Sequence, residues 1–114
     1  MITKSWSAEA ANSLLRNLSP EEQAKIVEYG AMLRLADLRR QLLQAQSTIK
    51  ELGAKYQTTL AQLSSEGLPD DAGYEMHEDY ILWHHYTEKV VRLEKSISVL
   101  EEGLRPPSLG TDAG

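Results

Sequence analysis

Pro20 and Pro69 bound a long stretch with no other proline, and one seven-residue register holds through most of it. With position a at Leu35, the a sites are Leu35, Leu42, Ile49, Tyr56 and Leu63, and the d sites are Ala31, Leu38, Ala45, Leu52 and Thr59. Apolar residues at a and d form one stripe along a slightly underwound helix, and that stripe is stable only against another helix. Gly30 and Gly53 fall inside the stretch, and each weakens a helix by ~1 kcal/mol, too little to break it. The spacing therefore predicts a single long helix over 20–66.

A second register follows. Met76, Trp83, Val90, Ile97 and Leu104 take its a sites, and Asp79, Tyr86, Leu93 and Leu100 its d sites. Between the registers, Gly67 suits a left-handed C-terminal position, Pro69 prevents continuation, and Asp70 or Asp71 can cap the next helix. A turn over 67–70 and a helix over 71–104 are expected. Ahead of the first register, Ser7 reads as an N-cap with Glu9 in the first turn, and Ala10, Leu14 and Leu18 recur at helical spacing over 7–18. That helix ends where Ser19 caps the next one, Pro20 takes its first position and Glu21 and Glu22 meet the positive end of its dipole. The whole reads as one all-α domain over 1–104, with a disordered tail over 105–114.

Two heptad helices joined by a short turn run antiparallel, as a coiled-coil hairpin. The expected alignment sets Leu52 beside Trp83, Ile49 beside Tyr86 and Leu42 beside Leu93. Asp79 decides it. A carboxylate at a seam position needs a partner, and this alignment gives it the Tyr56 hydroxyl. A shift of one heptad sets Tyr56 against Tyr86 instead.

Composition narrows the function by exclusion. Leu, Ala, Gln, Glu, Lys and Arg dominate, Phe is absent, and no alternating β-branched run marks a strand. A net charge of −5 is the wrong sign for a general nucleic-acid binder. No cysteine means no disulfide and no thiolate metal site. The opening MITKSWSAEA lacks an apolar signal core, and no apolar run approaches the ~18 residues of a membrane span. A cytoplasmic protein is expected. No phosphate loop or nucleophile motif is present, so no enzyme activity and no cofactor are expected.

The seams do not use all the apolar surface. Ile26, Tyr29, Leu33, Ala36 and Leu43 follow helical spacing outside the first seam. Tyr74 and Ile81, with His77, His84 and His85, take outward positions in the second helix. Two such stripes call for covers. The first helix, through Leu14, Leu15 and Leu18, is expected over part of the Ile26–Leu43 stripe. A second copy, forming a four-helix bundle, or a different protein covers the rest.

His84 and Glu88 lie one helical turn apart and His77 shares their face, a pattern that can hold a metal ion. The Glu-x-x-His pairs of di-iron bundles are missing, and interface histidines are the simpler reading. Arg34, Arg39 and Arg40 can grip phosphate, but arginines flanking a seam more commonly pair with acids across it, here Glu94, Glu101 and Glu102.

The segment KYQTTLAQLSSEGLPDDAGYEMHEDYILWHHYTEKVVRLEKSI, Lys55 to Ile97, resembles small helical-hairpin proteins predicted as antitoxins in prokaryotic toxin–antitoxin pairs. The shared features are a Pro-Glu-Glu helix start (LSPEEQ), a Lys-Tyr before the turn, acids after it, and an acidic-aromatic segment, HEDYILW, leading into a charged helix. The resemblance implies neutralisation of a cognate toxin by direct contact. The contacts it implies lie in the Tyr74–His85 and Ile26–Leu33 regions: Ile26, Tyr29, Leu33, Tyr74, His77, Ile81, His84 and His85. The chain departs from DNA-binding antitoxins in having no ribbon-helix-helix or helix-turn-helix segment. The expected function is a non-catalytic protein–protein interaction module, with a self-assembling adaptor bundle and a helical metal-binding protein as alternatives.

Overall fold

The computed structural model describes residues 6–106, and every regular element among them is an α-helix: α1 (Ala8–Arg16), α2 (Pro20–Tyr56), α3 (Leu60–Glu66) and α4 (Tyr74–Leu104). Of the tail expected to be disordered, residues 107–114 lie outside the described residues. The chain is extended. Its radius of gyration is 20.9 Å, where a compact domain of this length has ~13 Å.

The helix starts follow the local chemistry read above. Ser7 Oγ accepts from the Ala10 N–H at 3.0 Å, and Ser19 Oγ accepts from the Glu22 N–H at 3.1 Å. These bonds satisfy donors that the first turn of a helix leaves free. Pro20 takes the first helical position of α2 and forfeits no hydrogen bond there.

The first correction concerns the long helix, which does not reach residue 66. It ends at Tyr56, because Gln57 turns left-handed at φ 52 and ψ 43. The N–H groups of Gln57 and Thr58 both point to the Gly53 carbonyl. Thr59, expected at a seam d position, is exposed and caps α3 instead, its Oγ1 accepting from the Gln62 N–H at 3.1 Å. The local chemistry permits a break here. Consecutive β-branched threonines favour extended backbone, and a threonine hydroxyl competes well as a cap.

The turn is also longer than expected. Gly67 adopts φ 82 and ψ 163, positive in φ but extended rather than left-handed helical. Pro69 accepts from the Ala72 N–H at 3.0 Å, and α4 begins only at Tyr74, with Gly73 as its cap residue and no side-chain cap. Neither Asp70 nor Asp71 caps α4, because that turn places both before its start.

α2 packs against α4. Tyr56, at the end of α2, meets Asp79 near the start of α4, while Arg39 in the first half of α2 meets Glu101 near the end of α4. The two helices are therefore antiparallel. Among the described residues, all the buried side chains occupy a or d positions of the two registers: Leu35, Leu38, Ala45, Leu52 and Leu63 from one, Trp83, Leu93 and Ile97 from the other. They divide into two clusters. Leu35, Leu38, Ala45, Leu93 and Ile97 form the one toward the chain ends, with Leu42 and Tyr86 against it. Leu52, Leu63 and Trp83 form the other, beside the turn. Leu63 reaches that second cluster although α2 has already ended, because α3 folds over α4.

Candidate interaction surface

The end of the molecule near the turn is built around Trp83, which is only 2% exposed. Tyr56 stacks on it with ring centroids 6.3 Å apart and planes 26° from parallel. The Tyr56 hydroxyl then donates to Asp79 Oδ2 at 2.6 Å, and Lys55 Nζ donates to the same oxygen at 2.7 Å and also to Glu75. Lys55, then Tyr56, holds the Asp79 carboxyl below the usual carboxylate range. The carboxylate in turn raises the Tyr56 phenol and, with Glu75, the Lys55 ammonium. This polar clasp closes the rim of the aromatic cluster and fixes which turn of α2 faces which turn of α4.

On the far side of α4, the expected contact residues mostly face solvent. Tyr74 is 80% exposed, its hydroxyl donating to Glu78 at 3.1 Å, and Ile81 is 63% exposed. His77 and His85 are exposed as well, with His85 edge-on to Tyr86. His84 departs from this row. It is half-buried beneath α3, edge-on to Tyr80 at 4.7 Å between ring centroids, with Nε2 3.4 Å from Ser64 Oγ. Ser64 Oγ also lies 3.1 Å from the Tyr80 hydroxyl. His84 is thus partly a fastening for α3, which a reading that continued α2 to residue 66 could not show. Among the described residues no three His, Asp or Glu side chains gather as a metal-holding group.

The second stripe lies on α2. Ile26, Tyr29 and Leu33 are all exposed, and so are Ala36 and Leu43 farther along. α1 buries none of its residues and leaves this stripe open, contrary to the expected cover. The reason is the connection. α1 ends at Arg16, Asn17 turns back to the Ser13 carbonyl, and the Leu18 carbonyl is held by the Gln23 side chain at 2.9 Å.

The arginines divide their partners. Arg39 reaches Glu101 at 2.6 Å across the helices, as expected, but Arg34 and Arg40 both pair with Asp37 on their own helix at 2.8 Å. Glu102 pairs with Arg105 rather than with an arginine of α2.

Two features escaped the sequence reading. Val27, Ala31, Val99, Gly103 and Leu104 line an apolar groove of about 690 Å³ between the first turns of α2 and the end of α4. No Lys or Arg occurs between Lys55 and Lys89, while Glu66, Asp70, Asp71, Glu75, Glu78, Asp79 and Glu88 all fall in that interval. A running charge count along the chain would have exposed this second signal.

No family model, no curated protein and no solved structure matches the chain. The surface itself is what bears on function. Among the described residues no helix is long and apolar enough to cross a membrane.

Proposed function

We propose that this chain is a non-catalytic coiled-coil interaction module, in its most specific form an antitoxin-like protein that neutralises a cognate toxin by direct contact. The observation that carries the reading is the outward row on α4, where Tyr74 and Ile81 stand bare among acids at the end of the molecule poorest in basic residues. Isolated exposed apolar residues are ordinary, but a row at helical spacing, rimmed by one sign of charge, suits a complementary partner. The partner class is a small basic protein with an apolar notch for Ile81 and Tyr74. The Ile26–Leu33 face of α2 is the second candidate contact.

Affinity purification from the native host tests this. A single small basic protein should co-elute in fixed ratio, and Ile81→Glu should abolish its recovery while helix content by circular dichroism stays near that of the parent. Recovery of the chain alone, or an unchanged complex with Ile81→Glu, sinks the reading.

A second reading, a self-assembling helical adaptor, is favoured by surface area. The chain exposes 9142 Å², where a compact monomer of its mass exposes roughly 6,300 Å².

A further inference from the structure

α2 carries a second heptad seam. Ile26, Leu33 and Arg40 recur at intervals of seven, and so do Tyr29, Ala36 and Leu43. At 100° per residue their common face points roughly 150° away from the seam that packs on α4. The structure leaves that face uncovered: Ile26 is 45% exposed, Tyr29 64%, Leu33 73% and Leu43 68%. Two seams on opposite sides of one helix mark an element built to sit between two others, and α4 supplies only one of them.

We infer that the other is α2 of a second copy, packed antiparallel about a two-fold axis that passes between Leu33 and Ala36. The seam is self-complementary in that orientation. Ile26 meets Leu43 of the second copy, Leu33 meets Ala36, and Tyr29 meets Arg40, with every pair repeated by the symmetry. Large faces small at the centre. At the intermediate layer, a guanidinium whose own carboxylate partner, Asp37, lies on the same helix is free to lay its flat face on a tyrosine ring. Each neighbouring register sets a large apolar residue of the stripe against a polar one. One heptad in one direction pairs Leu33 with Tyr29, Ile26 with Ala36 and Arg40 with Glu22, but sets Leu43 against Ser19, the cap of α2. One heptad in the other sets Ile26 against Lys50 and Tyr29 against Ser47.

The whole chain exposes roughly 2,900 Å² more than a compact monomer of its mass, and a standard stable interface covers ~800 Å² of each partner. The result is a layer of four helices in the order α4, α2, α2, α4. Ile26 and Lys55 are ~43 Å apart along α2, so the pairing leaves the Tyr74–Ile81 row free at both outer ends. The inference rests on the self-assembly reading above; it takes the Ile26–Leu33 face for the second copy and leaves the Tyr74–Ile81 row as the toxin contact.

Light scattering of the full chain should give twice the 12.8 kDa chain mass. Leu33→Glu should raise the dimer dissociation constant at least ~100-fold, because two carboxylates would enter an apolar layer, with helix content retained. The chain has no cysteine, so Ile26→Cys mixed with Leu43→Cys under oxidising conditions should yield a disulfide-linked pair that neither variant forms alone. A monomer at the highest attainable concentration overturns the inference together with the self-assembly reading. A dimer indifferent to Leu33→Glu, or Ile26→Cys cross-linking to itself, overturns this face and register alone. Ile81→Glu should leave the dimer unchanged, so loss of the partner complex is read separately.

Discussion

The Tyr56 hydroxyl donates a 2.6 Å hydrogen bond to Asp79 Oδ2 across the α2–α4 contact, and the same tyrosine ring stacks on Trp83. One side chain thus joins the polar rim to the aromatic cluster. Removing only the hydroxyl with Tyr56→Phe keeps the stacking and takes one donor from a carboxylate that retains Lys55. We expect a loss of about 1–2 kcal/mol in unfolding free energy, measured by urea titration.

The acid response follows from the same pair. Asp79 has a folded pKa below its ordinary value, so it binds protons more readily when unfolded. Its contribution to stability is present above the ordinary aspartate value of ~3.9 and is lost as pH falls below that through the lower folded value. Asp79→Asn removes this contribution. Its midpoint of unfolding should lie below that of the parent at neutral pH, and the gap should narrow as the solution is taken down through pH ~4. A gap that is constant with pH would dissociate Asp79 from the acid response.

Leu63 is the anchor of α3, 8% exposed and packed with Leu52 and Trp83. Leu63→Ala should cost ~2–4 kcal/mol and admit water to the indole. Trp6, the other tryptophan, is 64% exposed, so its emission is expected to be that of a solvated indole both before and after the substitution. A red shift of the protein's emission therefore reports Trp83, and an unchanged spectrum would mean α3 does not cover it.

Two backbone positions bracket α3. Gln57 holds a left-handed conformation that L-residues adopt at a cost, so Gln57→Gly should stabilise the fold by ~0.5–1.5 kcal/mol. Gly67 occupies a positive-φ, extended region open almost only to glycine, so Gly67→Ala should destabilise by ~1–3 kcal/mol. Thermal unfolding of the two variants should move in opposite directions. If both fall, Gln57 is not strained in the way its backbone angles imply.

The periodicities were legible in the linear order of residues because they record a property each helix must have whatever it packs against, an apolar stripe at one angle of its cylinder. That is why every buried side chain lies at a predicted a or d position, and why Asp79, a lone carboxylate in a seam, pointed to Tyr56. The exposure of Tyr74, Ile81, Tyr29 and Leu33 was legible on the same ground. Where the long helix stops was not. Gly53 and the threonines at 58 and 59 are individually tolerable in a helix, and the break at Gln57 arises only once Leu63 can reach Trp83 by folding over α4. The same folding turns His84 from an outward residue into a partner of Ser64. The start of α4 at Tyr74 likewise depends on how the loop closes around Pro69, which neither aspartate dictates. Stripes belong to single helices and are written locally; breaks and fastenings depend on contacts between residues distant in the chain, which exist only after the helices have met.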